Sequence, residues 1–201
     1  MKRVKWKILI ITSAFCLLPI LLGMAMWSFL PEMVAIHFDI NNNPDNFAPK
    51  GIVVFGLPIF MTILQIVCCI VTDFNVAKHG ESKSIETATK WIVPVMAVVL
   101  QVVTLGYSVG WAIDMRRIAM VLVGTIFIVT GKLTAKLDYI KYYDISKEKA
   151  RKINHFIGWG MAVMGLLFII SIFLPPIASV VCLVLLIPYT VIAAVYSIKN
   201  K

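Results

Sequence analysis

The sequence predicts an all-α polytopic membrane protein with six transmembrane helices and both termini in the cytoplasm. Hydrophobic residues make up 60% of the 201-residue chain and the mean hydropathy is +0.91, whereas soluble domains are roughly 45–50% apolar. Because the hydrocarbon core offers backbone groups no water partner, long apolar runs inside it must be helical. Six runs meet or approach the roughly 20 residues that one span requires: 8–30, 52–72, 91–113, 117–135, 156–174 and 177–198.

The first and fourth runs are the least typical of the six spans. Four basic residues precede the first run, but it is longer than the roughly 7–15-residue apolar region of a signal peptide, and further spans follow it. We expect it to be retained as the first span. In the fourth run the charge-free core, Ile118–Gly131, has only 14 residues, so Arg116, Arg117 and Lys132 would reach the two interfaces by snorkelling. The alternative is five spans, with a re-entrant segment within 91–131.

Basic residues predict the orientation. Four precede the first span, three lie between spans two and three, seven follow span four, and two follow span six. Sixteen of the 19 Lys and Arg residues therefore lie on one side, which the positive-inside rule assigns to the cytoplasm. Five spans would put the seven-charge loop outside, so the charge distribution favours six. The net charge of +9 is explained by this asymmetry, and we expect no direct nucleic-acid binding.

The apolar cores offer little chemistry. They contain no Asp, Glu, Lys, Arg or His, although ion-coupled carriers usually place an ionisable residue near the midplane. Gln65 and Gln101 are the only amides at mid-depth, and interhelical hydrogen bonds would explain them. The four cysteines match no zinc or disulfide spacing, and no metalloprotease or serine-hydrolase motif occurs. We expect no enzyme, no catalytic residues, no cofactor and no metal site.

The loop between the first two spans, 31–51, is the most informative polar segment. Residues 34–38 predict a short extended piece, 41–46 form a dense turn signal, and Phe47 with Pro49 would fold back on the extended piece. His37, Asp45 and Lys50 would then form a compact cluster at the outer membrane surface. Two interpretations stay open at this point: a hydrogen-bonded plug that stabilises the loop, or a peptide-binding surface.

The basic cytoplasmic loop, 132–155, mixes seven basic residues with three tyrosines: Tyr139, Tyr142 and Tyr143. The loop could also form a helix along the membrane surface, because its apolar residues have a roughly helical spacing: Ile145, Ala150, Ile153 and Phe156. Such a segment would contact lipid headgroups or dock a cytoplasmic partner. The loop 73–90 is expected to be a polar linker in which Glu86 and Lys90, four residues apart, pair as a helix enters span three. We group the chain as 1–72, the first two spans with their loop, and 73–201, the remaining four spans.

A family resemblance rests on Leu30-Pro31, Ile36-His37-Phe38, Asn43-Pro44-Asp45 and Lys50 between two spans. This pattern resembles the extracellular signature of the SdpI/YhfL immunity-protein family, which reads roughly LPxxIPIHFxxxGxPDxxxxK. The length and the number of spans are also similar. A second family pattern, GN…N…GxRxPW, is matched poorly: Gly131 fits, Lys132 replaces the Asn, and no Arg-x-Pro-Trp occurs in 136–155.

The resemblance implies a protein of the bacterial plasma membrane that binds or neutralises a secreted, membrane-active toxic peptide at its outer face. It also implies that the protein can signal by holding a repressor protein at the membrane. The toxin-binding candidates are His37, Phe38, Pro44, Asp45 and Lys50, and the cytoplasmic partner candidates are Lys147, Lys149, Arg151 and Lys152. The alternative is a small transporter or exporter with a polar path at the level of Gln65 and Gln101.

Overall fold

The structure, a computed structural model, describes residues 4–79, 83–138 and 145–200. Helices dominate this part of the chain: α1 (Trp6–Ala25), α2 (Leu57–His79), α3 (Lys83–Ser108), α4 (Met115–Thr134), α5 (Lys147–Ser171), α6 (Pro176–Val184) and α7 (Leu186–Lys199). Among the described residues, six helical segments are long and apolar enough to cross a membrane: Trp6–Ala25, Ile52–Val76, Ile85–Ser108, Met115–Thr134, Lys147–Ser171 and Pro176–Lys199. The predicted all-α polytopic fold with six spans is confirmed.

Two predicted polar connections are mostly helical. Helix α2 continues to His79 and α3 begins at Lys83, so the polar linker expected over 73–90 was wrong. Helix α5 begins at Lys147 and runs unbroken to Ser171, so the expected surface helix is instead the first turns of the fifth span. The Ser146 hydroxyl caps α5 by accepting from the Lys149 amide, and the Lys, Glu and Ala residues that follow favour helix. The three tyrosines of the basic loop lie outside the described residues.

The sixth span is divided into α6 and α7 at Leu185. Pro188 lies in the first turn of α7 and has no amide hydrogen, so it cannot donate to the carbonyl of Val184, which ends α6. Helical hydrogen bonds are present on either side of the break, from the Leu185 amide to the Val181 carbonyl and from the Tyr189 amide to the Leu185 carbonyl. The chain therefore keeps its course through the break.

The chain divides into two compact units, Met1–Met115 and Arg116–Lys201. This differs from the grouping expected from the sequence, which placed α3 with the later spans. Helix α3 packs against both α1 and α2 and so belongs with the first two spans.

In the first unit, α1, α2 and α3 form a three-helix bundle with a β-hairpin at one end. Strands β1 (Met33–Phe38) and β2 (Pro44–Pro49) pair antiparallel, and a π-helical turn at Ile52–Gly56 leads into α2. Beneath the hairpin lies an apolar cluster that joins β1 to the helices: Leu30, Val34, Val53, Val54 and Leu105. The hairpin is therefore anchored to the bundle by buried side chains.

In the second unit, α4 and α5 approach through glycines. A Cβ added at Gly124 would lie 2.6 Å from the Gly165 carbonyl oxygen, and Gly131 and Gly158 face each other in the same way. Without side chains at these positions, the two backbones can come into van der Waals contact. At the start of α4, the Arg116 guanidinium donates to Ser179 Oγ at 2.9 Å, which ties this end of α4 to α6.

Candidate functional site

The predicted outer loop forms the β-hairpin. In its register Met33 pairs with Pro49, Val34 with Ala48, Ala35 with Phe47, His37 with Asn46 and Phe38 with Pro44. The extended piece and the fold-back of Phe47 and Pro49 are therefore confirmed. Val34 and Ala35 are buried on the bundle, whereas most of β2 is exposed. We define the hairpin surface as the exposed side chains of residues 33–49.

A network around Asp39 orders the turn between the strands. The Asn43 backbone amide (2.8 Å), the Asn43 side-chain amide (3.1 Å) and the Asn41 backbone amide (2.9 Å) donate to the Asp39 carboxylate. These hydrogen bonds hold the pKa of Asp39 below its usual range, with the Asn43 backbone amide contributing most. The dense Asx composition of the turn thus serves backbone hydrogen bonding, as the sequence predicts.

Asn42 holds the tip of the hairpin in place. Its φ is +67°, in the left-handed region that Asn tolerates better than most residues. Its Nδ2 donates to the Ile113 carbonyl at 3.0 Å, and its Oδ1 accepts from the Met115 amide at 2.7 Å. The tip is thereby joined to the connection that follows α3. Sequence reasoning missed this role, because both partners lie about seventy residues further along the chain.

His37 and Asp45 form a pair across the strands. Nδ1 of His37 lies 2.5 Å from Oδ1 of Asp45, close enough for the ring to donate to the carboxylate. The side chains are 67% and 47% exposed, so both remain accessible to a ligand. Their pairing across the strands agrees with the predicted cluster. With Nδ1 and Oδ1 engaged with each other, Nε2 of His37 and Oδ2 of Asp45 are the atoms that remain for a ligand.

Phe38 and Pro44, the next cross-strand pair, differ in accessibility. The Phe38 ring packs edge to face on Tyr107 of α3, with centroids 4.7 Å apart, whereas Pro44 is exposed. Phe38 therefore anchors the hairpin to the bundle, and Pro44 belongs to the hairpin surface.

Lys50 does not join His37 and Asp45. Its Nζ lies 2.8 Å from Glu32 Oε1 and 5.0 Å from the centroid of the Trp27 ring. The side chain is only 14% exposed. The Lys50 amide donates to the Glu32 carbonyl at 2.9 Å, at the base of the hairpin. Lys50 is five residues beyond Asp45, roughly 17 Å along an extended chain. The expected three-residue cluster was wrong in this respect.

The hairpin that carries the His37–Asp45 pair also exposes apolar side chains. Met33, Ile36 and Phe47 are each about half exposed. The strand register shifts between Ala35 and His37, so Ile36 is an extra residue in β1, as in a β-bulge. The bulge leaves both Ile36 and His37 exposed, where strict alternation would bury one of them. The hairpin surface thus combines a polar pair with exposed apolar groups.

A second cluster lies at the opposite end of the bundle. The side chain of Lys90 is fully buried, with its ammonium 2.5 Å from Asp73 Oδ1 and 2.9 Å from Glu86 Oε1. The Lys5 ammonium pairs with Glu86, and the Lys5 backbone amide donates to Asp73 Oδ2 at 3.0 Å. Two cations and two carboxylates from three helical segments therefore balance in charge. We call these four residues the buried ion network.

The sequence predicted only part of the buried ion network. The pairing of Glu86 with Lys90 is confirmed. Asp73 and Lys5 were missed, because each borders an apolar run and looks like an ordinary interfacial charge. The sequence carries one signal for this contact. Asp73 directly follows the apolar run of the second span, Lys90 directly precedes that of the third, and a short connection joins the two helices.

The side chains of the two mid-depth amides donate hydrogen bonds to neighbouring segments. Gln65 Nε2 donates to the Lys90 carbonyl at 2.8 Å and to Thr12 Oγ1 at 2.7 Å, and Gln101 Nε2 donates to the Val53 carbonyl at 3.1 Å. The interhelical hydrogen bonds expected from the sequence are confirmed for both amides.

The cytoplasmic partner candidates lie on the first turns of α5. All four are exposed, Lys147 pairs with Asp138 at 3.6 Å, and Lys152 pairs with Glu148 at 2.9 Å. Within the described ranges, no group of three or more His, Cys, Asp or Glu side chains has the geometry to hold a metal ion.

Comparison with known families bears on the hairpin. Residues 14–62 match the family model described as a domain of unknown function, DUF1648. The matched stretch runs from α1 through the hairpin into α2, so it contains every toxin-binding candidate. No curated protein and no solved structure matches this chain.

Proposed function

We propose that this multi-pass membrane protein is an immunity protein of the bacterial plasma membrane, which binds or neutralises a secreted, membrane-active peptide through its hairpin surface. One observation carries the proposal. The paired His37 and Asp45 are exposed on the same hairpin as the apolar side chains of Met33, Ile36 and Phe47, and the hairpin is anchored to the bundle.

The chemistry of this surface suits an amphipathic peptide. Exposed apolar side chains would contact the apolar face of such a peptide, and the His37–Asp45 pair would bind a charged or polar group beside it. Because Asn42, Phe38 and Val34 hold the hairpin on the bundle, little conformational entropy would be lost on binding. The predicted orientation places this surface outside, where a secreted peptide arrives.

The resemblance to the SdpI/YhfL family supports the same proposal, since its signature residues 36–38 and 43–45 fall on the hairpin and the others flank it. It extends the proposal to signalling: Lys147, Lys149, Arg151 and Lys152 would hold a cytoplasmic repressor. Their exposure on the first turns of α5 suits an electrostatic contact with an acidic partner.

The alternative, a transporter or exporter, has weaker support. Gln65 and Gln101 donate to backbone groups of neighbouring segments, so the expected polar path is used for helix packing. The buried ion network lies near one end of the bundle and is internally paired. Charged groups near the midplane, which ion coupling usually requires, are absent from the described part of the bundle.

A protection assay tests the proposal. Cells with and without the protein would be challenged with the secreted peptide fraction of the source strain. We expect survival of expressing cells, and loss of protection for His37→Ala and Asp45→Ala at normal membrane abundance. Asn41→Ala is the matched control, because it removes an exposed tip side chain with no hydrogen bond of its own within the described residues.

The exchanged double variant His37→Asp/Asp45→His separates two explanations. It retains a cross-strand pair but reverses the positions of donor and acceptor. If the single variants lose protection and the exchange restores it, the pair only braces the hairpin. Wild-type protection by both single variants would contradict the proposal.

A further inference from the structure

A groove between α4 and α5 combines basic and aromatic walls with a floor of small residues. Its volume is about 320 Å³. Ala135, Gly158 and Ala162 form the floor, and the walls come from four larger side chains: Lys132, Lys136, His155 and Trp159. The groove is deep because Gly158 has no side chain and lies against the α4 backbone at Gly131.

The described residues of the second unit provide no carboxylate partner for the lysines of this groove. Among the described residues, Asp138 pairs with Lys147 and Glu148 pairs with Lys152. Lys132 and Lys136 have no carboxylate partner there. The His155 and Trp159 rings lie 6.1 Å apart at one wall, and each offers an N–H donor. Side chains that carry two ammonium groups and two ring donors thus line one cavity, whose surface is otherwise mostly apolar.

The length of α4 predicts that the groove lies at the level of a membrane interface. Lys132 is seventeen residues beyond Met115, the first residue of α4, which is about 26 Å along the helix axis at 1.5 Å per residue. This distance is close to the roughly 30 Å thickness of the hydrocarbon core. Trp159 is 54% exposed, and Trp is enriched where lipid headgroups meet hydrocarbon. The same level carries phosphate groups on the lipid side.

We propose that this groove binds the phosphate headgroup of an anionic phospholipid. Lys132 and Lys136 provide the charge, His155 donates a hydrogen bond to a phosphate oxygen, and Trp159 packs beside the glycerol backbone. The small floor admits the headgroup between the helices. Basic pockets between transmembrane helices commonly bind anionic headgroups in this way. This site is separate from the hairpin and does not depend on the proposed immunity function.

Lipid binding to the full-length protein in detergent tests the proposal. Native mass spectrometry would count bound phosphatidylglycerol and phosphatidylcholine during separate titrations. We expect phosphatidylglycerol to bind at least about tenfold more tightly, and Lys132→Gln/Lys136→Gln to weaken it by about 30-fold. Lys7→Gln/Lys199→Gln, which removes two exposed charges elsewhere, should bind like the wild type. Lys132→Arg/Lys136→Arg should retain binding, because the charge is preserved.

Three results would overturn the proposal. The first is equal binding of the two lipids by the wild type. The second is phosphatidylglycerol binding by Lys132→Gln/Lys136→Gln as tight as that of the control, with both variants monodisperse and equally heat-stable without lipid. The third is displacement of phosphatidylglycerol by inorganic phosphate at comparable concentration, which would indicate a soluble phosphate ligand. Retained binding in the arginine variant would show that charge at these positions, not lysine packing, is required.

Discussion

Asn42 and Met115 are joined by a hydrogen bond of 2.7 Å, from the Met115 amide to the Asn42 side-chain oxygen. The bond connects the tip of the hairpin with the first residue of α4. A second bond, from Asn42 Nδ2 to the Ile113 carbonyl, reinforces it. The tip of the hairpin is therefore held by one side chain, in addition to the buried contacts at its base.

We predict that Asn42→Gly loosens the hairpin and that Asn42→Ala loosens it further. Both variants lose the two side-chain bonds, which should cost about 1–3 kcal/mol of local stability. Alanine should cost about 1–2 kcal/mol more, because φ of +67° is unfavourable for it and not for glycine. Hydrogen exchange of the 39–43 amides would measure the effect. Equal exchange in Asn42→Gly and wild type would contradict the role of the side chain, and Asn41→Ala serves as the control.

The order of the turn should depend on pH through Asp39. Its pKa is lowered by hydrogen bonds that only the folded turn provides. The stabilisation is therefore fully present above the ordinary aspartate value of about 3.9, and is lost as the pH falls through the lower folded-state pKa. Mobility of the Asn41 and Asn43 amides, measured by NMR in detergent, should rise only below about pH 4. In Asp39→Asn this rise should be absent; an unchanged profile would assign the titration to another group.

The buried ion network should be sensitive to the loss of one charge. Lys90→Met leaves Asp73 and Glu86 with only Lys5, and breaking a buried ion pair in this way typically costs about 3–5 kcal/mol. We expect a clear fall in the thermal unfolding temperature of the purified protein. Lys90→Met/Glu86→Gln removes one charge of each sign and should recover part of the loss. Lys83→Met, on an exposed position of the same helix, is the control. A double variant no more stable than Lys90→Met would contradict charge balance as the cause.

Orientation can be checked by thiol labelling of intact cells. The positive-inside rule predicts that a cysteine at Asn41 reacts with an impermeant reagent and that one at Lys147 does not. Both positions are exposed, and Asn41 is preferable to Asn42 because its side chain does not fix the hairpin tip. The native cysteines lie within spans, and three of the four are buried. Labelling at 147 alone would reverse the orientation and place the hairpin inside.

Immunity and signalling should be separable by position. We expect the quadruple variant Lys147→Gln/Lys149→Gln/Arg151→Gln/Lys152→Gln to keep protection and to lose capture of a repressor. These residues lie on the opposite predicted face from the hairpin, and exposed charges act over only about 8–10 Å at physiological salt. Co-purification of a repressor with the membrane fraction would measure capture. Because fewer basic residues weaken the topology signal, orientation must be measured in the same strain. Loss of protection in a correctly oriented variant would contradict the separation.

The sequence by itself determined the class of the protein and much of its local structure. Six spans follow from the length and polarity of the apolar runs, since the hydrocarbon core imposes helix on any segment inside it. The hairpin follows from an Asx- and Pro-rich turn between two short extended pieces, and the Glu86–Lys90 pair follows from helical spacing. These features depend on residues near each other in the chain, so their pattern is visible in one dimension.

Only the tertiary structure decided which distant residues meet. It placed Lys50 beside Glu32 and away from Asp45, because strand register sets cross-strand neighbours. It brought Asp73 to Lys90 and Asn42 to Met115. It also brought Gly131 and Gly158 together, which deepens the groove between α4 and α5. Such contacts depend on how the helices rotate and approach one another. That geometry pairs most buried polar groups across the whole unit, and no local pattern records it.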